Sequence, residues 1–151
     1  MMTRILPINH VNVTAKAVVY MCYGLGSCIG LFVTDRATKL AGGAHIPVPS
    51  SLDTDELLGA PLLIDKLLQA FQQQGSDLSC LRAKITGGAQ VYESSSDIGK
   101  QNIEAVRQVL VDKKIFLAAA DVGGTVSRTA RFNSMTGELK ISTSGQMIYS
   151  I

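Results

Sequence analysis

The chain is expected to adopt an α+β fold: a single domain in which mixed β-sheets form a layered sandwich and two main helices pack outside. Three observations predict it. The 151 residues, 46% of them apolar and 17% charged, suit one compact domain with its own core. β-rich segments occupy both halves of the chain, and two longer stretches carry apolar residues at helical spacing. A strand candidate also runs into paired glycines three times, at Gly42-Gly43, Gly87-Gly88 and Gly123-Gly124. Paired glycines at strand ends mark tight turns or close backbone approach, so several strand ends are expected to converge on one region. Three ordinary loops are the alternative.

Val11 to Val13 and Ala17 to Cys22 are β-rich and run into the glycine turn Gly24-Leu25-Gly26. Ile29 to Thr34 is a short apolar strand, turned by Asp35-Arg36-Ala37-Thr38, and Lys39 to Pro47 is its return strand. Pro47, Pro49, Ser50 and Ser51 form a loop. Asp53-Thr54-Asp55-Glu56 suit a helix start, where acidic groups face the positive end of the dipole. Leu62, Leu63, Leu67, Ala70 and Phe71 then follow helical spacing until Gly75. Leu81 to Thr86 is a strand that empties into Gly87-Gly88-Ala89 and a serine-rich stretch. Ile98 to Lys113 is the second helix, with Ile103, Val106, Val109 and Leu110 on one face. Ile115 to Val122 is an apolar strand, and Thr129 to Phe132 and Glu138 to Thr143 make a hairpin about Asn133-Ser134-Met135-Thr136-Gly137.

Composition narrows the function. The formal net charge is +2, no segment concentrates the basic residues, and aromatics are 5% with no Trp. A nucleic-acid binder would show a basic stripe or stacking aromatics, so no nucleic-acid partner is expected. No apolar run approaches the length of a membrane span, and the first residues lack the pattern of a signal peptide. Cys22, Cys28 and Cys80 are an odd count without a spaced framework, which fits free thiols in a reducing cytoplasm.

The most informative feature is Cys28 in Gly24-Leu25-Gly26-Ser27-Cys28-Ile29-Gly30, followed by His45 in Gly42-Gly43-Ala44-His45. A thiolate is the reactive form of cysteine, and a neighbouring imidazole can generate it. Hairpin geometry would return His45 to Cys28, although register is not fixed by sequence. The competing reading is a small buried hydrophobe beside a structural turn. Gly24, Gly26 and Gly30 are spaced one residue too widely for the dinucleotide fingerprint, and a strand rather than a helix follows. No Gly-Lys-Ser or Gly-Lys-Thr step supports a P-loop. Cys22, Cys28, His10 and His45 lack zinc-site spacing. Cys22 and Cys80 read as structural and His10 as a surface residue; Arg128 and Arg131 read as a solvated strand edge, with binding of a carboxylate or an acidic partner as the alternative.

Taken in order, Gly24-Leu25-Gly26-Ser27-Cys28, Gly43-Ala44-His45 with Pro47 and Pro49, Lys84-Ile85-Thr86-Gly87-Gly88-Ala89, Ile98-Gly99-Lys100-Gln101-Asn102-Ile103, Asp121-Val122-Gly123-Gly124-Thr125 and Arg131-Phe132-Asn133 with Thr136-Gly137 resemble the chemoreceptor glutamine deamidases, the CheD family. The resemblance spans nearly the whole chain, as one deamidase-like domain over residues 1–151. It implies a fold similar to that of cysteine-hydrolase toxins that deamidate glutamine. It also implies hydrolysis of glutamine side-chain amides in chemoreceptor cytoplasmic helices, with Cys28 as nucleophile and His45 as base. Backbone N–H groups of the turn at Gly26 and Ser27 are candidates to hold the oxyanion. Thiolate–imidazole chemistry needs no metal and no cofactor, so none is expected. A CheC-type phosphatase is the partner that the resemblance suggests.

Two positions depart from the family. Its third catalytic residue is a threonine six positions before the cysteine, orienting the histidine; here that position is Cys22. A thiol is a weaker hydrogen-bonding group than a hydroxyl. Cys22 acting in its stead, a backbone carbonyl substituting, or a slower enzyme would each accommodate the change. Gly59-Ala60-Pro61 stands where relatives carry a tyrosine, a change expected to alter the substrate groove. The rivals are a weakly active or non-catalytic module that docks a phosphatase or receptor, and a cysteine amidase or esterase with another substrate.

Overall fold

The computed structural model describes residues 1–50, 56–144 and 147–151. Its strands are β1 Met2–Ile5, β2 Val11–Thr14, β3 Val18–Leu25, β4 Ile29–Asp35, β5 Ala41–Ile46, β6 Leu81–Gly87, β7 Phe116–Val122, β8 Arg128–Asn133, β9 Leu139–Thr143 and β10 Ile148–Ser150. Helix α1 covers Ala60–Gln73 and α2 covers Ile98–Asp112. One sheet has the order β1-β3-β8-β9-β10 and the other β2-β5-β4-β6-β7. Each is antiparallel except at one edge, where β1 runs parallel to β3 and β7 parallel to β6. Both sheets are therefore mixed, and the expected α+β architecture with two helices stands.

The layers follow from alternation along the strands. In β4, Ile29, Leu31 and Val33 join the apolar cluster beneath the helices, while Phe32 joins the cluster between the sheets. Successive side chains of a strand point to opposite faces, so the central sheet is buried on both sides. Helix α1 turns Ala60, Leu63, Ile64, Leu67, Leu68 and Phe71 inward, an i, i+3, i+4 stripe. Phe32 and Phe132 stack across the inter-sheet layer with ring centroids 5.1 Å apart.

Several expectations are corrected. Helix α1 starts at Ala60, capped by Gly59 with Pro61 in its first turn, and that turn holds no acidic residue. A proline suits this position because its missing N–H would have had no helical partner. Of the acidic helix start, Asp53, Thr54 and Asp55 lie outside the described residues, and Glu56 precedes the helix. Leu62 is exposed and gives way to Ile64 and Leu68 on the buried face. Gly42-Gly43 is not at a strand end but inside β5. A Cβ at Gly42 would lie 2.6 Å from the Asn12 carbonyl, and one at Gly43 2.8 Å from Leu6. The pair lets both neighbouring layers close on β5. Arg128 is buried rather than solvated, and β8, which carries it with Arg131, is an interior strand of its sheet. The Arg128 Nε donates to Asp121 Oδ2 at 3.0 Å and Nη1 to the Gly123 carbonyl at 2.9 Å, tying one sheet to the other.

Candidate active site

The other two glycine pairs do converge, and on Cys28. Gly88 N–H donates to the Cys28 carbonyl at 2.9 Å, Ala89 N–H to the Gly26 carbonyl at 2.8 Å, and Gly123 N–H to the Gly87 carbonyl at 2.9 Å. Gly87 has φ 109°, and a Cβ there would sit 2.1 Å from the Cys28 oxygen. Only glycine fits that approach. The Ser27 carbonyl between them accepts from Asn102 Nδ2 at 2.8 Å. Three successive carbonyls of the turn are thus drawn into the protein body. In a trans peptide the N–H points opposite to the preceding carbonyl. The N–H groups of Ser27 and Cys28 face away from those contacts and have no main-chain acceptor among the described residues.

His45 reaches the same place from β5. Gly30 pairs with His45 across β4 and β5, and Cys28 lies two residues before Gly30. Alternation puts both side chains on the face toward the other sheet, as diagonal neighbours roughly 7–8 Å apart between backbones. Cys28 packs against the inter-sheet cluster accordingly. The hairpin return expected from the spacing of Cys28 and His45 is thus present, in a register that sequence could not fix.

The imidazole is 5% exposed. Its Nδ1 lies 2.8 Å from the Leu6 carbonyl. A carbonyl only accepts, so Nδ1 carries the proton and Nε2 keeps its lone pair. Nε2 is buried with no hydrogen-bond partner among the described residues. Burial pushes the His45 pKa below 6.5, opposed by the Leu6 hydrogen bond. Burial raises the Cys28 thiol above 9.0, opposed by its own backbone N–H. Both shifts favour the uncharged forms, and no hydrogen bond joins the two side chains.

Cys22 is fully buried, its thiol makes no hydrogen bond among the described residues, and burial pushes it up to about 12 with a further contribution from Cys28. The hydrogen bond that His45 does make is to the Leu6 main-chain oxygen. Leu6 had no sequence signal, because any residue offers the same carbonyl.

Cys28 opens into a cavity of about 590 Å³, whose walls include Gly26, Ser27, Gln90, Tyr92 and Ser127. His45 does not line it; its ring lies on the inter-sheet side of β5. Val91 and the largely exposed Tyr92 supply apolar surface at its rim. Ala60 and Pro61 do not line this cavity: Ala60 packs beneath the sheet with the α1 stripe. Among the described residues no group of three or more His, Cys, Asp or Glu is placed to hold a metal ion. Nor is any described helix long and apolar enough to cross a membrane.

A family model described as CheD chemotactic sensory transduction matches residues 60–143. A probable chemoreceptor glutamine deamidase of Clostridium botulinum is 36% identical over 147 residues, covering 91% of both chains. The chain belongs to the CheD family. A second CheD, the chemoreceptor glutamine deamidase of Halalkalibacterium halodurans, is 38% identical and covers 80% of each chain. Among solved structures, a Bacillus licheniformis hypothetical protein, YfiH, has a TM-score of 0.49 at 14% identity, covering 76% of this chain and 51% of that one.

Sequence reasoning passed over one further residue of this CheD chain. Asn102 is fully buried, and its Nδ2 donates to the Ser27 carbonyl and, at 3.0 Å, to the Pro47 carbonyl. Two acceptors facing one amide end fix which atom is nitrogen. Its Oδ1 is buried without a partner, a cost on the order of 1–3 kcal/mol. The signal was there: Asn102 falls on the buried stripe of α2 with Gly99, Val106 and Leu110.

Proposed function

We propose that this chain is a cysteine-dependent protein-glutamine deamidase acting on the cytoplasmic helices of chemoreceptors, with residues 1–151 as a single catalytic domain working in the cytoplasm. The observation that carries the mechanism is the unpartnered Nε2 of a buried imidazole, held by Leu6 on the same sheet face as Cys28. The names of the relatives, chemoreceptor glutamine deamidases, carry the substrate class.

A glutamine side chain enters the cavity and its carboxamide carbon meets Sγ of Cys28. Nε2 of His45 takes the thiol proton as sulfur attacks. The carboxamide oxygen becomes an oxyanion held by the Ser27 and Cys28 N–H groups. The imidazolium returns its proton to the amide nitrogen, the C–N bond breaks, and ammonia leaves. Water, deprotonated by His45, attacks the thioester; the C–S bond breaks, the thiol is restored and glutamate remains. Desolvation keeps the resting groups neutral, so the ion pair forms only as the substrate arrives. Tyr92 and Val91 at the rim suit the apolar side of a receptor helix. A CheC-type phosphatase is the regulatory partner that the family resemblance suggests.

The test is mass spectrometry of a chemoreceptor cytoplasmic fragment incubated with the wild type, Cys28→Ala and Cys22→Thr. An amide-to-acid mass gain at particular glutamines, absent only with Cys28→Ala, is the expected result. No gain with folded wild-type protein and several receptors would instead favour the non-catalytic binding module.

A further inference from the structure

We propose that Asn102 is a positioning residue that sets the distance between nucleophile and base. The inference rests on the roles given above to Cys28 and His45. Cys28 and His45 belong to adjacent strands, but Cys28 stands just outside β4, in the turn, and Pro47 stands just beyond the end of β5. The sheet ladder therefore ends at the point where the two side chains must meet. One side chain bridges that gap. Asn102 Nδ2 donates one hydrogen to the carbonyl of the residue before Cys28 and the other to the carbonyl two residues after His45. Both bonds run from the same nitrogen, so the two acceptors are held at a separation fixed by the geometry of one amide.

The platform that bears Asn102 is itself rigid. Asp97 caps α2 by accepting from the Lys100 N–H at 2.9 Å. Gly99 lies so close to the Gly88–Ala89 segment that an added Cβ would stand 2.5 Å from either carbonyl. The helix start is thereby pressed on the same Gly88 whose N–H holds the Cys28 carbonyl. Drawing the Ser27 carbonyl toward α2 also fixes the opposite end of that peptide, the Cys28 N–H proposed for the oxyanion. One residue thus governs both the approach of Cys28 to His45 and the orientation of an oxyanion donor. Asn102 does not line the cavity into which Cys28 opens.

The test is Asn102→Leu, which keeps the side chain's size and removes both donors. Two readouts are needed: steady-state deamidation, and the rate of Cys28 alkylation by iodoacetamide against pH. The second requires no receptor. In the wild type, alkylation is expected to show an acid-side limb below pH 6.5, set by His45 and abolished in His45→Ala. Asn102→Leu is expected to lose that limb while retaining cooperative thermal unfolding. Its kcat should fall roughly 10- to 100-fold with KM nearly unchanged, the size expected of a small misplacement of reacting groups. A folded variant with the wild-type alkylation profile and kcat would overturn the proposal. So would a variant of lowered Tm whose folded fraction reacts normally, since that is a purely structural role. If the leucine variant does not fold, Asn102→Ser, smaller and with a single donor, is read in the same way. If the wild type deamidates no receptor but the acid limb still depends on Asn102, the positioning role stands and the assigned substrate falls.

Discussion

Cys22 and Cys28 are the same residue type, six positions apart, and both face the layer between the two sheets. Burial raises both thiols. Cys22, within β3, is fully buried and belongs to the inter-sheet cluster with Leu6, Leu25 and Phe32. Cys28 stands outside any strand, in a turn whose carbonyls are all engaged and whose N–H groups are not. The contrast teaches that the two thiols differ in backbone and in access. Burial raises both, so acidity does not tell them apart. What does is the open cavity wall at Cys28 and a turn whose N–H groups have no main-chain acceptor among the described residues.

Substitutions can break or sharpen that contrast. Cys28→Ala should abolish deamidation, a loss of roughly 10⁴-fold or more in kcat, as expected when a covalent nucleophile is removed. His45→Gln should cost about 10²- to 10⁴-fold, the usual contribution of a positioned base; a smaller loss would mean that Cys28 ionises without help. The reactive form is the neutral pair. It exists above the depressed His45 pKa and below the raised Cys28 pKa. A pH profile of kcat/KM should therefore have its acid midpoint below 6.5 and its alkaline midpoint above 9.0. Midpoints at the unshifted values of 6.5 and 9.0 would show that burial does not control the pair.

Gly87→Ala separates the two thiols by another route. The added Cβ meets the Cys28 carbonyl, and the left-handed backbone adds strain of about 1–3 kcal/mol. Activity should fall well beyond the loss in folded protein, while Cys22 stays unreactive toward iodoacetamide until unfolding. The smallest effect is expected of Cys22→Thr. Since Leu6 already fixes the His45 tautomer, kcat should change by less than about tenfold. A hydroxyl buried without a partner would lower stability by roughly 1–3 kcal/mol, visible in thermal melts. A large gain in kcat would instead show that the Leu6 carbonyl orients His45 poorly.

Much of this was legible in the sequence, and the rest was hidden for identifiable reasons. The apolar runs of β4 and β6 and the helical period of α1 and α2 announced themselves, because burial on a face imposes a repeat. Strand β1 did not: it is an edge strand with mostly exposed side chains, so nothing forces alternation on it. Strand β10 is a three-residue edge for the same reason. Gly42-Gly43 and Gly87-Gly88 are identical as letters. The first serves contact between layers inside a strand, and only the second makes a turn. Arg128 looked solvated because its partners, Asp121 and the Gly123 carbonyl, belong to another sheet. Cys28 and His45 stood out in the sequence because thiol and imidazole chemistry is specific to residue type, and the fold puts them at adjacent strands. Asn102 was hidden by its apolar neighbours on α2, a polar residue in a stripe expected to be hydrophobic.

The orienting group of His45 is a main-chain oxygen, contributed by the residue that follows an edge strand near the start of the chain. No amino-acid replacement at position 6 can delete it. A saturation scan would score Leu6 only for its buried isobutyl group and would report nothing about the imidazole. Selection meets the same blindness, and a cysteine at position 22 leaves the tautomer to Leu6. The liability moves elsewhere: whatever peels β1 away from β3, whether an N-terminal fusion, a truncation or a competing strand, would release the ring while leaving every site side chain intact.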